Sequence, residues 1–475
     1  MARTLNAPRA HATKALRPRK RVKRLRKPPL SWADKKMTTA MVDRLFWRAG
    51  FGPSDADRQQ WTGKRLALAV NWMLTTPPTL VGNPPVNNNV ALAPTASDTD
   101  LVLEWIDRMV RSDNPLVERL TFFFHRHFAT SRDAVSPQMA RKQIALYRSF
   151  ADVASNPTSD IRSLVQAVTL DPAMLRFLTG ENNQKGRPNE NYAREVMELF
   201  CLGVTDAAGQ PNYSESDVKE LARALSGWRI NTTDAENPFS YFTASRWDGG
   251  TKTFLGRSGA FDTPQAIDVV LSHPNHAPHL MRKLWSEFIQ SPPDAASLTD
   301  LAGTYLRRGF RIRPILRKIL THRALYESIA EPNMIKAPVV FVPGAMRSMS
   351  LFVTNSTPFS RMQSMGQTPY FPPDVSGWEY GPAWLDSNTA ITRFRLIGDL
   401  TGVQLIDQTD IVGETPSQAF DRAHAAVGKP WLSPATDGAI RDYAVRTPGT
   451  TLSQRRTRQR VLRSLMLGGP DGQVM

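Results

Sequence analysis

Residues 182–203 read Asn-Asn-Gln-Lys-Gly-Arg-Pro-Asn-Glu-Asn-Tyr-Ala-Arg-Glu-Val-Met-Glu-Leu-Phe-Cys-Leu-Gly, a polar, turn-forming segment that runs directly into an amphipathic helix. At about 100° per residue, the apolar side chains of residues 191–202 fall on one arc of that helix. Glu195 lies inside the arc, and Asn191 and Glu198 lie at its edge. A carboxylate that points toward a core is costly unless a cation, a metal or hydrogen-bond donors compensate it. The stretch therefore predicts a site without naming its chemistry.

The same helical period continues along most of the chain, whereas the alternating pattern typical of strands is scarce. Residues 231–262 and 353–386 have no regular period, and both are too long for plain connectors, so we expect ordered, function-bearing loops there. The predicted fold class is mainly α: a multi-helix globular array with long ordered irregular loops and few or no strands. Helices are predicted at 38–49, 54–74, 100–112, 115–128, 137–152, 158–168, 191–202, 214–228, 263–271, 277–290, 296–308, 313–321, 336–350, 387–404, 415–426 and 452–467.

Charge is distributed unevenly along the 475 residues. The chain has 60 Lys and Arg against 43 Asp and Glu, and residues 1–36 hold thirteen of the basic residues with a single Asp. Such a segment is typical of disorder, and it would attract nucleic acid, an anionic surface or an acidic partner, unless it is a solvated extension or precedes the true start. We therefore predict three parts: a disordered basic tail (1–36), a helical domain (37–427) and a C-terminal loop with a basic helix (428–475).

Several classes of protein are disfavoured by what the sequence lacks. No run of eighteen apolar residues predicts a transmembrane helix, and the single cysteine, Cys201, excludes a disulfide framework and a cysteine-rich zinc site. No apolar stretch follows the basic run, so no signal peptide is predicted and a cytoplasmic location is the simplest expectation. A zincin His-Glu-x-x-His, a Gly-x-Ser-x-Gly elbow and a dinucleotide fingerprint are also absent, which argues against the commonest hydrolases and dehydrogenases.

The strongest candidate for chemistry is the polar face of helix 191–202. Asn191, Glu195 and Glu198 follow i, i+4 and i, i+3 spacing, which suits a carboxylate site for acid–base catalysis or for a metal. The structural alternative is an ion pair of Glu195 with Arg194 or Arg223. Both interpretations stay open at this point.

Histidines and a glycine-bearing loop supply further candidates. His127 closes the aromatic run of helix 115–128 on its apolar stripe, where it is either a base or metal ligand, or a hydrogen-bonded core histidine. His273, between two helices, is either a ligand or a cap. The loop 247–256 could hold an anion by its backbone, which makes Asp248 and Lys252 weaker candidates for substrate binding, although its spacing is not that of a phosphate-binding loop.

Seven short blocks of this sequence resemble one known family. They are residues 44–53 (Arg-Leu-Phe-Trp-Arg-Ala-Gly-Phe-Gly-Pro), 124–130 (Phe-His-Arg-His-Phe-Ala-Thr), 188–200 (Pro-Asn-Glu-Asn-Tyr-Ala-Arg-Glu-Val-Met-Glu-Leu-Phe), 252–256 (Lys-Thr-Phe-Leu-Gly), 283–285 (Lys-Leu-Trp), 336–339 (Lys-Ala-Pro-Val) and 372–378 (Pro-Pro-Asp-Val-Ser-Gly-Trp). In this order, over roughly residues 41–400, they resemble the bacterial domain-of-unknown-function 1800 family (DUF1800).

The resemblance implies little about activity, because the family has none assigned. Many relatives look exported and sit beside a second family that resembles alkaline phosphatases and sulfatases, so the resemblance implies a partner of that superfamily. This chain departs from the relatives by lacking an evident signal peptide. It also has Trp247 where relatives usually carry histidine, so any ligand at that position would be altered here.

The leading hypothesis is a hydrolase of unknown substrate, either metal-dependent or of the carboxylate/histidine type. Its catalytic residues would be Glu195, Glu198 and His127, and a divalent metal would be held by these three with His273. Substrate would contact Asn191, Arg194, Asp248 and Lys252. The alternative is a non-catalytic binding or assembly protein whose basic tail recruits an acidic partner. A third hypothesis is nucleic-acid binding through residues 1–36.

Overall fold

The computed structural model describes residues 32–379 and 381–475, and it confirms a mainly α fold. Those residues form twenty α-helices, and their strands form only three two-stranded antiparallel hairpins. Across these two ranges, none of the helices combines the length and the apolarity that a membrane crossing requires. Most of the predicted basic tail, residues 1–31, lies outside the described residues, whereas Trp32 stacks on Tyr326 with ring centroids 5.9 Å apart.

The helices follow one another closely in sequence. They are α1 (Thr39–Ala49), α2 (Asp55–Trp61), α3 (Leu66–Thr75), α4 (Asp98–Arg111), α5 (Leu116–His127), α6 (Pro137–Ala151), α7 (Ile161–Thr169), α8 (Pro172–Phe177), α9 (Asn191–Glu195), α10 (Glu215–Ala224), α11 (Thr263–Leu271), α12 (His276–Phe288), α13 (Ala295–Arg307), α14 (Arg313–Leu320), α15 (Pro338–Ser348), α16 (Thr357–Ser364), α17 (Ser387–Val403), α18 (Pro416–Ala426), α19 (Pro434–Arg446) and α20 (Leu452–Gly468). Helix α9 continues as one π-helical turn, Val196–Cys201.

Three of the six strands of the described residues lie inside the stretch 231–262 that was predicted to be irregular, one begins just before it at Trp228, and two lie within residues 86–91. The strands are β1 (Val86–Asn87), β2 (Val90–Ala91), β3 (Trp228–Asn231), β4 (Phe239–Phe242), β5 (Lys252–Phe254) and β6 (Arg257–Gly259). In the longest hairpin, Trp228 pairs with Phe242 and Asn231 with Phe239. The predicted irregular stretch 353–386 also contains a helix, α16, and residues 428–451 contain α19.

Two predicted helices end earlier than their periodicity suggests. The capping box of Ser214 and Asp217 starts α10 as predicted, but the helix stops at Ala224, before the strand pairing of β3 with β4 begins. The predicted helix 54–74 is divided into α2 and α3, because the backbone of residues 63–66 instead pairs with residues 35–37. In both places a non-local backbone pairing prevails over the local helical preference.

A single hydrophobic core connects the two ends of the described chain, and its buried side chains run from Met37 to Met475. The C-terminal residues pack onto this core: the Lys336 amide donates to the Gln473 carbonyl at 2.8 Å, and the Met475 amide donates to Met334 at 2.9 Å. The Arg48 guanidinium bonds the Met475 carbonyl at 2.9 Å. Residues 428–475 therefore complete the same core that α1 and α15 form.

Trp47 in α1 fills a slot that two glycines leave open. A Cβ on Gly344, inside helix α15, would lie 2.5 Å from the Trp47 ring, and one on Gly52 would lie 2.9 Å from it. The Lys336 ammonium lies over the same ring, 4.0 Å from its centroid. The indole thereby packs against the backbone of both neighbouring segments, and the absence of two side chains is what makes room for it.

Candidate functional site

The helix at residues 191–201 changes its geometry at the candidate site. Its last turn is π-helical, and the Leu202 amide bonds the Met197 carbonyl five residues back. Along this helix burial repeats every four residues, in the pairs Tyr192–Ala193, Val196–Met197 and Phe200–Cys201. Glu195 and Glu198 are therefore partly exposed. The expectation that Glu195 points into the apolar arc is wrong, because the buried face includes Ala193 and Met197 and leaves Leu199 partly exposed.

The carbonyl groups at the end of this helix are bonded by side chains from other helices. The Leu199 carbonyl accepts hydrogen bonds from His279 Nε2 at 3.1 Å and from Lys283 Nζ at 2.7 Å. The Cys201 carbonyl pairs with His276 Nδ1 at 3.2 Å. Since a helix leaves its last carbonyls without intrahelical partners, these α12 side chains cap the C-terminus of the helix.

The next carbonyls are capped in the same way. His127 Nε2 lies 3.0 Å from the Phe200 carbonyl, and the Asn275 amide group donates to the Leu202 carbonyl at 2.7 Å. Four consecutive carbonyls, those of residues 199–202, are thus held by side chains from α5, from α12 and from the residue before α12. This arrangement fixes the helix that carries Glu195 and Glu198.

His127 is buried among aromatic rings. It stacks on Phe123 with centroids 5.8 Å apart and meets Phe128 edge-on at 4.4 Å. Burial, with the nearby positive charge of Lys283, holds the pKa of His127 well below its ordinary value, so the imidazole is neutral and donates its Nε2 proton to Phe200. These contacts match the core-histidine alternative, while a catalytic or metal-binding role for His127 stays a prediction.

The charges of two further carboxylates act on Glu195 at the outer side of the helix. Glu195 makes no hydrogen bond or ion pair through its side chain within the described residues. Burial raises the pKa of Glu195, and the negative charges of Glu198 and Asp374 raise it further, while Arg194 opposes them. The Glu198 carboxylate accepts a hydrogen bond from the Tyr213 hydroxyl at 2.9 Å. The site therefore contains an unpaired carboxyl group whose proton is retained to higher pH than usual.

Asp374 is the member of this cluster that the sequence reasoning missed. Its loop is held against α5, because Arg126 Nε donates to the Trp378 carbonyl at 2.8 Å and the Trp378 ring stacks on Phe122. Gly377 has φ +82°, and a Cβ there would collide with the Arg126 carbonyl. The block 372–378 was visible as a family-like motif, but nothing local in the sequence indicates that it meets helix 191–201.

The structural alternative, an ion pair of Glu195 with Arg194 or Arg223, is not found among the described residues. Arg194 pairs with Glu215 at 2.6 Å and, at 3.4 Å, with Glu190. Arg223 pairs with Glu220 at 2.7 Å and with Asp248 at 2.8 Å. Both guanidinium groups have other acidic partners, which leaves the Glu195 carboxylate to its acidic neighbours.

The remaining candidate residues have partners other than Glu195, Glu198 and Asp374. Asp248 is bound by Arg223, and buried Lys252 donates to the Phe261 carbonyl at 3.1 Å beneath the Trp247 ring. His273 Nδ1 accepts the Asn275 amide at 3.2 Å, as a turn cap does. Exposed Asn191 donates to the Thr179 hydroxyl at 3.1 Å.

A divalent metal does not fit the donor set that the sequence suggested. Throughout residues 32–379 and 381–475, no three His, Cys, Asp or Glu side chains are grouped so that they could hold an ion. His127 is turned toward the Phe200 carbonyl, and His273 lies beside Asp217. The chemistry considered below therefore involves no metal.

Comparison with known proteins gives one match. A family model described as "Protein of unknown function (DUF1800)" matches residues 44–474, which confirms the resemblance and extends it beyond the predicted range of about 41–400. No curated protein and no solved structure matches the chain. The matched range includes the helix 191–201, its capping side chains and Asp374.

Proposed function

The chain belongs to the DUF1800 family of proteins of unknown function, and we propose that it is a hydrolase whose acid–base groups are Glu195, Glu198 and Asp374. The observation that carries the proposal is the unpaired Glu195 carboxyl, whose pKa burial and two carboxylates raise. Hydrolysis needs a proton donor and a proton acceptor at the same pH, and carboxyl groups held in different environments can supply both. No substrate class is singled out by the comparisons.

In this proposal Glu195 donates its proton to the leaving group. A neighbouring carboxylate, that of Glu198 or of Asp374, takes a proton from the attacking water. Asn191 and Arg194 stand on the same helix and would contact the substrate. An acidic cluster repels anions, so a neutral or cationic substrate is expected.

The side chains that cap the helix have a positioning role in this mechanism. His127, His276, His279 and Lys283 bond three consecutive backbone carbonyls and leave the carboxylates free. A catalytic group must be held to within about half an ångström of its working geometry by a rigid surrounding shell. Asp248 and Lys252, which are engaged within their own hairpin region, take no part.

The test uses Glu195→Gln, Glu198→Gln and Asp374→Asn, with the exposed Glu331→Gln as a matched control. Wild type and variants are assayed from pH 4 to 9 on nitrophenyl esters, nitrophenyl glycosides and a fluorogenic peptide library. We expect Glu195→Gln to lose about 10²- to 10⁴-fold in kcat/KM and to lose the basic limb of the pH profile. Wild type that turns over none of these classes, or Glu195→Gln as active as wild type, contradicts the proposal.

A substrate-independent measurement accompanies the assay. Carboxyl-carbon NMR should show the pKa of Glu195 above its ordinary value, and it should fall in Glu198→Gln because one neighbouring negative charge is removed. The same pKa in both proteins would mean that the carboxylates do not interact.

The second candidate is a non-catalytic binding or assembly protein, which the helix capping favours. On this alternative the family-like blocks hold helices together, and Glu195→Gln leaves every activity unchanged while Lys283→Met destabilises the fold. Its partners would be an acidic protein or surface bound by residues 1–36, or a protein resembling alkaline phosphatases and sulfatases. Affinity for heparin that falls steeply with salt and vanishes on deletion of residues 1–31 would support recruitment of an acidic partner by this segment. The same behaviour with DNA in place of heparin would support nucleic-acid binding.

A further inference from the structure

A separate cleft of about 360 Å³ opens between α4, α6 and the turn that joins β3 to β4. Its volume is within the range of small-molecule sites. The turn is held against α6, because Gln138 donates to the Glu236 carboxylate at 2.9 Å and Lys142 donates to the Asn237 side-chain oxygen at 3.2 Å. None of the three proposed acid–base residues lines this cleft, so the inference below stands apart from the proposed hydrolase.

Basic side chains outnumber acidic ones in the wall of the cleft. Arg141 is paired with Glu104 through two hydrogen bonds of 2.7 and 3.0 Å. Arg148 is paired in the same way with the buried Glu118. These two guanidinium groups are thus neutralised from within the protein.

Two other basic groups form no hydrogen bond or ion pair with a carboxylate, although the charge of Arg108 acts on Asp107 and that of Lys142 acts on Asp234. Arg108 makes no side-chain hydrogen bond or ion pair within residues 32–379 and 381–475, and the contact of Lys142 is with the uncharged Asn237 amide. Glu236 is bound to Gln138. The cleft therefore presents two cations that are available to a ligand.

A buried tyrosine completes the wall. Tyr370 is 3% exposed, and its ring packs edge-on against Trp105 at 5.2 Å. Its backbone is left-handed (φ +73°), an unfavourable conformation for a bulky residue. Two hydrogen bonds hold this conformation: the Tyr370 amide donates to His125 Nε2, and the Tyr370 carbonyl accepts from the Arg132 amide. The Tyr370 hydroxyl has no hydrogen-bond partner in the described part of the chain.

The Tyr370 hydroxyl lies near the charged residues of the cleft wall. The pKa of this phenol is raised by burial, and the charges that act on it are those of Arg148, Glu104, Glu118 and Arg141, all in or beneath the wall. The Tyr370 side chain is almost wholly buried, but its hydroxyl makes no hydrogen bond within the described residues and is free to donate to a ligand in the cleft that it lines.

We propose that this cleft binds a small organic anion, with Arg108 and Lys142 holding its carboxylate or phosphate oxygens and the Tyr370 hydroxyl donating to a second oxygen. Charge-assisted hydrogen bonds to an oxyanion are the strong contacts that such a donor set makes. Trp105 and Ala145 supply the apolar part of the wall. The turn carrying Glu236 and Asn237 lies over one side, where it limits the length of the ligand.

The test is isothermal titration of the full chain with glucuronate, with inorganic phosphate and with uncharged glucose. We expect saturable binding of one or both anions and none of glucose. Arg108→Gln combined with Lys142→Gln should weaken binding at least tenfold. Tyr370→Phe should weaken binding by about 10- to 100-fold, the equivalent of one lost hydrogen bond to a charged group. Arg446→Gln, on the exposed face of α19, is the matched control and should bind like wild type.

The possible outcomes separate cleanly. Binding of phosphate alone identifies a phosphate-type ligand, whereas binding of glucuronate alone identifies an organic carboxylate. Equal affinity in wild type and in the double variant places the anion elsewhere and overturns the proposal. The proposal is also overturned if neither anion shows saturable binding at 10 mM, a concentration about tenfold above a millimolar Kd. Circular dichroism confirms that each variant is folded, and the Tyr370→Phe result stands independently of the two surface substitutions.

Discussion

Replacement of His276 by glutamine tests whether the capping histidines make the fold sensitive to acid. His276 is 1% exposed, pairs through Nδ1 with the Cys201 carbonyl at 3.2 Å and through Nε2 with the Tyr305 hydroxyl at 2.9 Å. Burial lowers its pKa to about 4, against an ordinary value of about 6.5. Between these values the unfolded chain binds a proton that the folded chain does not.

The direction and size of the effect follow from proton linkage. Because the folded-state pKa of His276 is lowered, its stabilising contribution is complete above about pH 6.5 and is lost as pH falls toward 4. At pH 5, about 1.5 pH units below the pKa of the unfolded chain, the loss of stability is roughly 2 kcal/mol, because each unit is worth about 1.4 kcal/mol. Glutamine can donate to Cys201 but does not titrate, so the variant lacks this loss.

Urea unfolding followed by tryptophan fluorescence measures the difference directly. At pH 7.5 we expect wild type to be more stable than His276→Gln by about 1–3 kcal/mol, because the buried Tyr305 hydroxyl loses its imidazole partner. At pH 5 that gap should narrow by about 2 kcal/mol. His279→Gln, which removes another imidazole with a pKa lowered to about 4, should behave alike. A gap that is the same at both pH values refutes the assignment of a neutral, buried His276.

Three further predictions concern stability. His127→Phe keeps the ring stacking but leaves the Phe200 carbonyl without its donor, so it should cost about 1–3 kcal/mol in urea unfolding; an unchanged midpoint would show that this hydrogen bond is dispensable. Arg119→Ala breaks a buried ion pair with Glu287 (2.7 Å, both side chains 5% exposed). Because Arg126 remains beside Glu287 at 3.6 Å, the loss should fall below the roughly 3–5 kcal/mol of a fully uncompensated buried charge, at about 2–3 kcal/mol. Arg446→Ala, whose pair with Asp442 is exposed, should cost less than about 1 kcal/mol, and equal losses would contradict the role of burial. Gly377→Ala should lower the thermal unfolding temperature more than Gly209→Ala. Both glycines have positive φ, but only at Gly377 would the added methyl group collide with a backbone oxygen; the reverse order would be inconsistent with the packing of the 372–378 loop.

Local periodicity was sufficient to predict most of the helices. α1, α4, α5, α6, α11 and α17 begin and end within about two residues of their predicted limits, because an amphipathic period and its caps are local properties of the chain. The hairpins β3–β4 and β5–β6 escaped prediction, since their strands are three or four residues long and mostly lack an alternating pattern. Helix α19 escaped because its apolar stripe is weak, with only Ile440 and Ala444 buried.

The candidate site was only partly predictable. Glu195 and Glu198 were chosen as candidates from their position in an amphipathic helix. The direction of Glu195 was predicted wrongly, because the apolar arc was drawn through Leu199, which is partly exposed in the structure. The sequence indicated that His276 lies at a helix start, yet not that it caps Cys201, seventy-five residues earlier. Asp374 acts on the pKa of Glu195 from a segment almost two hundred residues away, an arrangement that no local pattern encodes.

The close fit of Trp47 against Gly344 has a consequence for how this family can change over time. Gly344 lies inside a helix with an ordinary backbone, and the closest obstacle to a side chain there is the indole of Trp47, at 2.5 Å, followed by the Phe51 carbonyl oxygen at 3.1 Å. Neither position can be altered freely while the other is kept: a methyl group at 344 requires a smaller ring at 47, and loss of the ring opens a cavity that a larger residue at 344 could fill. An alignment of relatives should therefore show the two positions covarying, large opposite small, although they are almost three hundred residues apart.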